Sequence, residues 1–304
     1  MTKCQNYTSK LVYLCGLPAS GKSTISLKLA EEYNAAVFSS DALRKELFGY
    51  EGNQGNNSKL FIELHRRIKE CLRSGNNAIY DATNISSKRR RAFLQELNKI
   101  DCHKKCVIVA TPYEQCQENN HKRDKKVPGH VIEKMYRHWN TPHYFEGWDE
   151  IEIQYWKDIE FKLPYEWVLN HWKYKQDNQH HMLSLGEHCY KTAMKCNNYY
   201  AFNAGLIHDC GKPFTKQFKD SKGKRTKYAH YYGHENVGAY DALFFCNITN
   251  EDTLLISTLV NLHMKPYEWE RDNNEKLHNK YKKLWGEELY NMVMELHGAD
   301  KEAH

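Results

Sequence analysis

The sequence predicts two domains of different class: an α/β domain with a parallel sheet flanked by helices over residues 1–165, then an all-α helical domain over residues 166–304. Three observations carry that expectation. Short apolar runs alternate with amphipathic stretches in the first part and give way to helical periodicity in the second. The formal charge of +6 lies wholly in residues 1–165, with 26 basic and 20 acidic side chains, while residues 166–304 hold 18 of each. The 17 histidines run the other way, 6 in the first part and 11 in the second.

Taken in order, residues 10–15 (KLVYLC) read as a buried strand, residues 16–24 as a Gly-bearing turn and residues 25–33 as an amphipathic helix. A second strand at 35–38 leads into a helix from Asp41. Residues 60–73 have helical periodicity. Strands at 78–80 and 106–110 flank a helix at 88–97. Residues 151–175, with six Tyr or Trp among many charges, read as the region between the domains. Beyond it, 183–196, 200–207, 235–244 and 253–262 read as helices.

A chain that is 40% hydrophobic and 27% charged has the material for packed cores and is not disordered. No apolar run approaches the roughly 18 residues of a membrane span, and the N-terminus lacks a signal-peptide pattern. A cytoplasmic protein with no membrane partner is the expectation. Ten scattered cysteines without a CxxC pair argue for reduced thiols over disulfides or zinc.

Residues 16–23, GLPASGKS, match GxxxxGK[ST] between a strand and a helix. Backbone N–H groups of Gly16, Ser20, Gly21 and Thr24 can wrap the phosphates of ATP or another NTP, Lys22 can reach the β/γ-phosphates, and Ser23 can ligate Mg²⁺. Asp41 and Arg44 follow the second strand, where ligands gather at the carboxyl ends of parallel strands. Asp41 is placed to take a proton from an attacking hydroxyl and Arg44 to hold a phosphate of the acceptor. Equally, Asp41 reads as a helix N-cap paired with Arg44. Asp81-Ala82-Thr83-Asn84 follows the third strand. The basic segment HKRDKKVP at 121–128 reads as a lid, with Arg123 on transition-state charge, or as a solvated charge run.

Together these residues resemble the 5′-hydroxyl polynucleotide kinase family over residues 8–150. The pattern is a phosphate loop, Asp-x-x-Arg after the second strand, a D-[TA]-[TN]-N element and a lid Arg ahead of a Pro-started helix. Lys22, Ser23, Asp41, Arg44, Asp81 and Arg123 fall on family positions. The resemblance implies Asp41 as general base, and Arg44 and Asp81 as substrate contacts. Ala19 departs from the pattern, since phage members carry Gly there.

In the second half, His208-Asp209 closes a helical apolar run. His188, His234, His263 and Asp300 come from other predicted helices, a set of N and O ligands suited to one or two divalent ions in a bundle. The strings LSLGEH, LIHDCGKP, GHENVGA and LVNLHM resemble the HD-superfamily phosphohydrolases over residues 178–304. That resemblance implies His188, His208, Asp209 and Asp300 as core ligands, with His234 and His263 serving a second ion. It makes Lys212 a catalytic contact near the scissile phosphate. It makes His181 and His230 either supports behind the ligands or contacts to phosphate. Between Lys212 and His234 lies a basic insert with Lys216, Lys219, Lys222, Lys224, Arg225 and Lys227 against one acid, Asp220. It reads as a solvated hairpin turning at Gly223, or as a contact for the phosphates of a strand entering the site.

The two modules in one chain resemble bacterial end-healing enzymes, although in those fusions the HD module comes first. The resemblance implies phosphorylation of a 5′-OH and hydrolysis of a 2′,3′-cyclic phosphate or a 2′- or 3′-phosphate. The partners implied are RNA or DNA ends and a ligase downstream, with a homo-oligomer left open. The alternatives are a small-molecule kinase joined to an HD nucleotide hydrolase, and a kinase with a non-catalytic HD module.

Overall fold

The computed structural model describes residues 7–49, 56–157, 159–178, 182–245, 249–271 and 274–303. It divides into two compact units: Met1–Ile132 with Pro142–Lys157, and Glu133–Thr141 with Asp158–His304.

The first unit runs β1 (Ser9–Cys15), α1 (Lys22–Tyr33), β2 (Ala35–Ser39), α2 (Ser40–Phe48), α3 (Asn57–Arg73), β3 (Asn77–Asp81), α4 (Ser87–Glu96), β4 (Cys102–Ala110) and α5 (Tyr113–His121). Helix α6 (Gly129–Tyr136) straddles the division, and β5 (Glu150–Tyr155) completes the sheet. The strand order is β2-β3-β1-β4-β5, and every pairing is parallel. Central β1 and β4 are covered on both faces, so they read as near-continuous apolar runs. On one face Val12, Leu14, Ile79, Val107 and Val109 meet Leu29 of α1. Among the aromatics, Tyr13 packs on Tyr80, Phe93 and Trp148. Helix α3 buries Leu60, Leu64, Ile68 and Leu72, one residue per turn on a single stripe.

The loops after β1, β2 and β3 therefore open at the same edge of the sheet, which is what brings the phosphate loop, Asp41 and Asp81 together. Strand β5 was not among the predicted strands. Glu-Ile-Glu-Ile-Gln-Tyr is a half-buried edge strand with Ile151 and Ile153 inward, and its alternating charges disguise it as connecting chain.

The second unit is helical: α7 (Pro164–Asn170), α8 (Leu185–Met194), α9 (Tyr199–Ile207), α10 (Lys212–Thr215), α11 (His234–Ala242), α12 (Asn250–Leu262), α13 (Lys265–Arg271), α14 (Glu275–Trp285) and α15 (Glu287–Glu302). Between α10 and α11 the basic insert forms an antiparallel hairpin, β6 (Gln217–Lys219) and β7 (Arg225–His230). Helices α8, α9, α12 and α15 pack around one core. Ser184 and Glu187 form a capping box that fixes the start of α8, and Asn198 caps α9. No helix among the described residues is long and apolar enough to cross a membrane.

Candidate functional site

The phosphate loop connects β1 to α1. The Gly16 N–H donates to the Thr83 carbonyl at 3.0 Å, which ties the loop to the segment after β3. A Cβ on Gly16 would lie 2.8 Å from the Val109 carbonyl oxygen, so only glycine fits. Ala19 has φ 62, a left-handed conformation that a Cβ penalises, which is a physical reason for glycine at that position. Thr111 donates to the Ser20 carbonyl at 2.8 Å, and Asn119 donates to the Ala19 carbonyl at 3.2 Å. Thr24 lies in the first turn of α1, its N–H on the Gly21 carbonyl at 3.1 Å.

Lys22 is buried and folds over the loop, donating to the carbonyls of Leu17 at 2.6 Å and Gly16 at 3.1 Å. Burial lowers its pKa, while Asp81 acts in the opposite sense. Ser23 donates to Asp81 at 3.2 Å, and burial raises the Asp81 carboxyl while Lys22 opposes it. Asp81 thus sits at the Ser23 hydroxyl, the position expected of a Mg²⁺ ligand.

Ser39, not Asp41, caps α2. Asp41 stands in the first turn with its side chain 64% exposed. It accepts from Arg44, itself 7% exposed, at 2.8 Å. The Asp41 charge is felt at both Lys22 and Asp81, and that of Arg123 at Asp81. The edge therefore gathers the phosphate loop, an exposed carboxylate, a buried guanidinium and the charge of Arg123. Arg123 lies in an exposed segment closed by a residue that sequence reasoning missed. Buried Asn120 donates to the Val127 carbonyl and accepts from the Val127 N–H, both at 2.8 Å, clasping the segment at its base.

In the second unit six predicted ligands converge. His188 Nε2 lies 3.2 Å from His208 Nε2 and 2.9 Å from Asp300 Oδ1. His234 Nε2 lies 3.2 Å from both His263 Nε2 and Asp209 Oδ1. Asp209 joins the two groups, because its Oδ2 is 3.3 Å from His208 Nε2. The clusters His188–His208–Asp209 and Asp209–His234–His263 are each buried and compact enough for an ion.

A local device orients three of the imidazoles. Nδ1 of His208, His234 and His263 bonds the carbonyl three residues earlier, those of Gly205, Tyr231 and Val260, at 2.8, 2.8 and 2.7 Å. His208 and His263 directly follow α9 and α12, where last-turn carbonyls lack helical partners. His188 does the same across the fold, to the Ala303 carbonyl at 3.4 Å. With Nδ1 as donor, each Nε2 presents a lone pair inward. Two such lone pairs 3.2 Å apart repel unless a cation lies between them. Ligands about 2.1 Å from one ion are separated by roughly 3.0–3.4 Å, so the donor set fits divalent metal.

Charge follows the same logic. Burial keeps His263 neutral, with its pKa pushed down to about 3. Burial also opposes charge on Asp209, but the Lys212 ammonium beside it holds that carboxyl well below the usual range. Lys212 Nζ sits 2.6 Å from Asp209 Oδ2 and donates to Gln176 Oε1 at 2.8 Å. The Tyr231 hydroxyl donates to the Gln176 carbonyl, and the Tyr267 hydroxyl donates to Asp300 at 2.9 Å. Gln176, Tyr231 and Tyr267 carry no spacing signal that would have marked them. His230 is on β7, stacked on Tyr232, and His181 lies outside the described residues.

The fold and geometry thus define a P-loop phosphotransferase domain followed by a helical domain with a buried His/Asp cluster that could hold metal. Residues 11–142 match the AAA domain family, and residues 179–302 match the HD domain family. The chain joins a P-loop kinase domain to an HD domain. A curated relative, L-seryl-tRNA(Sec) kinase of Methanococcus maripaludis, is 28% identical over 167 residues, 53% of this chain. The chain spans 63% of that relative's length. A chain of the Pnkp1/Rnl/Hen1 RNA repair complex is 22% identical, with a TM-score of 0.39 and coverage of 44% of each chain. A fungal RNA kinase is 12% identical, with a TM-score of 0.38, covering 50% of this chain and 40% of its own.

Proposed function

We propose that this protein is a bifunctional nucleic-acid end-healing enzyme. The kinase unit transfers the γ-phosphate of ATP or another NTP to a polynucleotide 5′-OH. The HD unit hydrolyses a 2′,3′-cyclic phosphate or a 2′- or 3′-phosphate at the other end. The observation that carries the reading is the buried cluster of four inward Nε2 atoms around Asp209, with Lys212 on the same carboxylate.

In the kinase unit, Gly16, Ser20, Gly21 and Thr24 supply backbone donors to the phosphates. Lys22 leaves its carbonyl partners for the β/γ-phosphates, and Arg123 closes from the lid onto the charge that develops in transfer. Ser23 and Asp81 are the groups that would hold Mg²⁺. This moves Asp81 from substrate contact to the metal end. Asp41, exposed at the acceptor edge, takes the proton of the 5′-OH. Arg44, buried and fixed through Asp41, holds the acceptor's neighbouring phosphate by its planar fork. The relative's name gives an acceptor carried on tRNA, which favours RNA among the acceptors.

In the HD unit, His188, His208, Asp209 and Asp300 would hold one divalent ion, and Asp209, His234 and His263 a second. Metal bound there supplies an acidified water and a counter-charge for the phosphate. Lys212 places a cation at the scissile phosphate, and the Gln176 contact keeps it aimed. Tyr267 remains a neutral donor, because burial and then Asp300 push its phenol up, and it fixes Asp300. The products, a 5′-phosphate and a freed 3′ end, are substrates for a ligase acting downstream.

The test is an oligonucleotide bearing a 5′-OH and a 2′,3′-cyclic phosphate, incubated with ATP and varied divalent metals, with both ends analysed. Asp41→Asn should cut 5′ phosphorylation by about 10²–10⁴-fold and spare the 3′ reaction. His208→Ala should do the reverse. No transfer to the oligonucleotide by the wild type, or full 3′ hydrolysis by His208→Ala, sinks the proposal.

A further inference from the structure

The hairpin between α10 and α11 is attached at both ends to the metal centre. Lys212, bonded to Asp209, begins the helix before it, and His234 follows it four residues after β7 ends. Its base is anchored: Lys216 pairs with Asp177 at 2.7 Å, and the Ala229 N–H donates to the Asp177 carbonyl at 2.8 Å. Its outer part is different. Among the described residues, Lys219, Lys222, Lys224, Arg225 and Lys227 have no ion-pair partner, and all five are exposed. The one acid, Asp220, is committed to the turn, where it accepts the N–H groups of Lys222 and Lys224, both at 2.9 Å.

Two further observations point to a polyanion with flat groups. Lys219 and Arg225 are direct cross-strand partners, and like charges in that position destabilise a strand pair unless something neutralises them. Three large aromatics face solvent beside these cations: Phe218 (45% exposed), Tyr228 (36%) and Tyr232 (45%). Tyr232 is already stacked with His230, their planes within 5°. Phe218, Lys219, Arg225 and Thr226 line an open concavity of about 440 Å³. Exposed rings interleaved with cations are what single strands bind, bases on the rings and phosphates on the charges.

We propose that the β6–β7 hairpin is the docking platform for a single-stranded polynucleotide whose terminus lies in the HD metal centre. The proposal rests on the reading of that centre as acting on polynucleotide ends, and it names the surface that delivers them. A centre served by such a platform should act on polymer in preference to mononucleotide.

The test is fluorescence anisotropy of a labelled single-stranded 12-mer with the full chain, over a range of KCl. The variants are Lys219→Ala/Lys224→Ala/Arg225→Ala and, separately, Phe218→Ala. Losing three phosphate contacts should reduce the slope of log affinity against log salt by about 2. Phe218→Ala should weaken binding about tenfold at unchanged slope. Melting temperatures should stay at the wild-type value, because these side chains are exposed. Wild-type affinity and slope in both variants overturn the proposal. So does displacement of the 12-mer by poly-glutamate as readily as by unlabelled strand, which assigns the hairpin to an acidic protein. Hydrolysis of a 2′,3′-cyclic phosphate at the end of the same 12-mer is measured alongside. If the wild type lacks turnover while the binding shifts hold, the catalytic reading fails and the docking surface stands.

Discussion

Gly211 is the position where a single methyl group should dismantle half of the metal centre. It caps α10 with φ −77 and ψ −10, a conformation any residue adopts, so only space forbids a side chain. A Cβ there would lie 2.2 Å from the His234 carbonyl oxygen and 2.7 Å from the Gly238 nitrogen, both backbone atoms of α11. Ordinary contact begins at 3.4 Å, so the first turn of α11 must retreat by about 1.2 Å. His234 Nε2 now stands 3.2 Å from Asp209 Oδ1 and from His263 Nε2. Retreat by that amount lengthens these separations by up to about 1.2 Å, to roughly 4.4 Å at most, past the ~4.2 Å that two ligands on one ion can span. With two ions bound by the wild type as proposed, Gly211→Ala should bind one per chain, at His188, His208 and Asp300. Overpacking costs about 1–3 kcal/mol. Loss of a metal present at 100 times its dissociation constant adds about 2.7 kcal/mol. Elemental analysis of Mn²⁺-loaded, desalted protein reads the first effect. A melting temperature lower by roughly 10 °C reads the second. Gly298→Ala is the control: no atom lies within 4 Å of the place its methyl would take and it is inside α15, so it should stabilise by about 1 kcal/mol. Two ions and wild-type melting in Gly211→Ala would refute the reasoning.

Three further outcomes follow from the first unit. Arg90 and Glu146 form a fully buried pair at 2.7 Å, with Trp148 donating to the same carboxylate, so Glu146→Gln should cost about 3–5 kcal/mol in urea unfolding. An unchanged midpoint would mean the pair contributes little. Burial pushes His143 down to about 4, against the opposing charge of Glu146, and its Nδ1 accepts from the Phe145 N–H at 3.4 Å. Its stabilisation is present above the unfolded value near 6.5 and is lost as pH falls towards 4. His143→Gln should flatten stability over that window by up to about 3 kcal/mol, read by thermal melts across pH. Ala19→Gly should relieve the left-handed strain at φ 62 and raise stability by up to about 1 kcal/mol, with nucleotide affinity at least maintained.

The parts legible in the sequence are those where chemistry and periodicity coincide. Strands β1, β3 and β4 are apolar because both faces are covered, and the phosphate loop follows β1 because the sheet edge is where a helix N-terminus meets ligand. The six side chains that converge in the second unit were singled out by residue type and order: His188, His208, Asp209, His234, His263 and Asp300. What escaped reading depends on tertiary placement. Gln176 reaches Lys212 from 36 residues away, and Tyr267 reaches Asp300 from 33. Neither distance leaves a pattern in one dimension. Asn120 clasps the basic segment through backbone groups of Val127, and nothing in an Asn within a polar helix announces that. Strand β5 escaped because its outward residues are charged, and charge is also what connecting chain looks like. The N-cap role considered for Asp41 falls to Ser39, two residues earlier, which leaves the carboxylate free of backbone duty.

The two candidate sites are built on opposite electrostatic plans, and this has a consequence for stability. The phosphate loop is built of donors: backbone N–H groups and one lysine whose charge is satisfied locally by the carbonyls of Gly16 and Leu17. Binding there exchanges partners for Lys22 and does not rescue the fold. The His/Asp cluster is built of acceptors, four inward lone pairs and two carboxylates, with Lys212 as the cation paired to it among the described residues. Such a set is self-repelling until divalent charge is present, and its free energy of metal binding is in part free energy of folding. The five segments that carry the proposed ligands come from α8, the ends of α9 and α12, the start of α11 and the last turns of α15, so five of the helices α7–α15 are tied to that balance. The kinase unit should then melt independently of chelator and the HD unit should not.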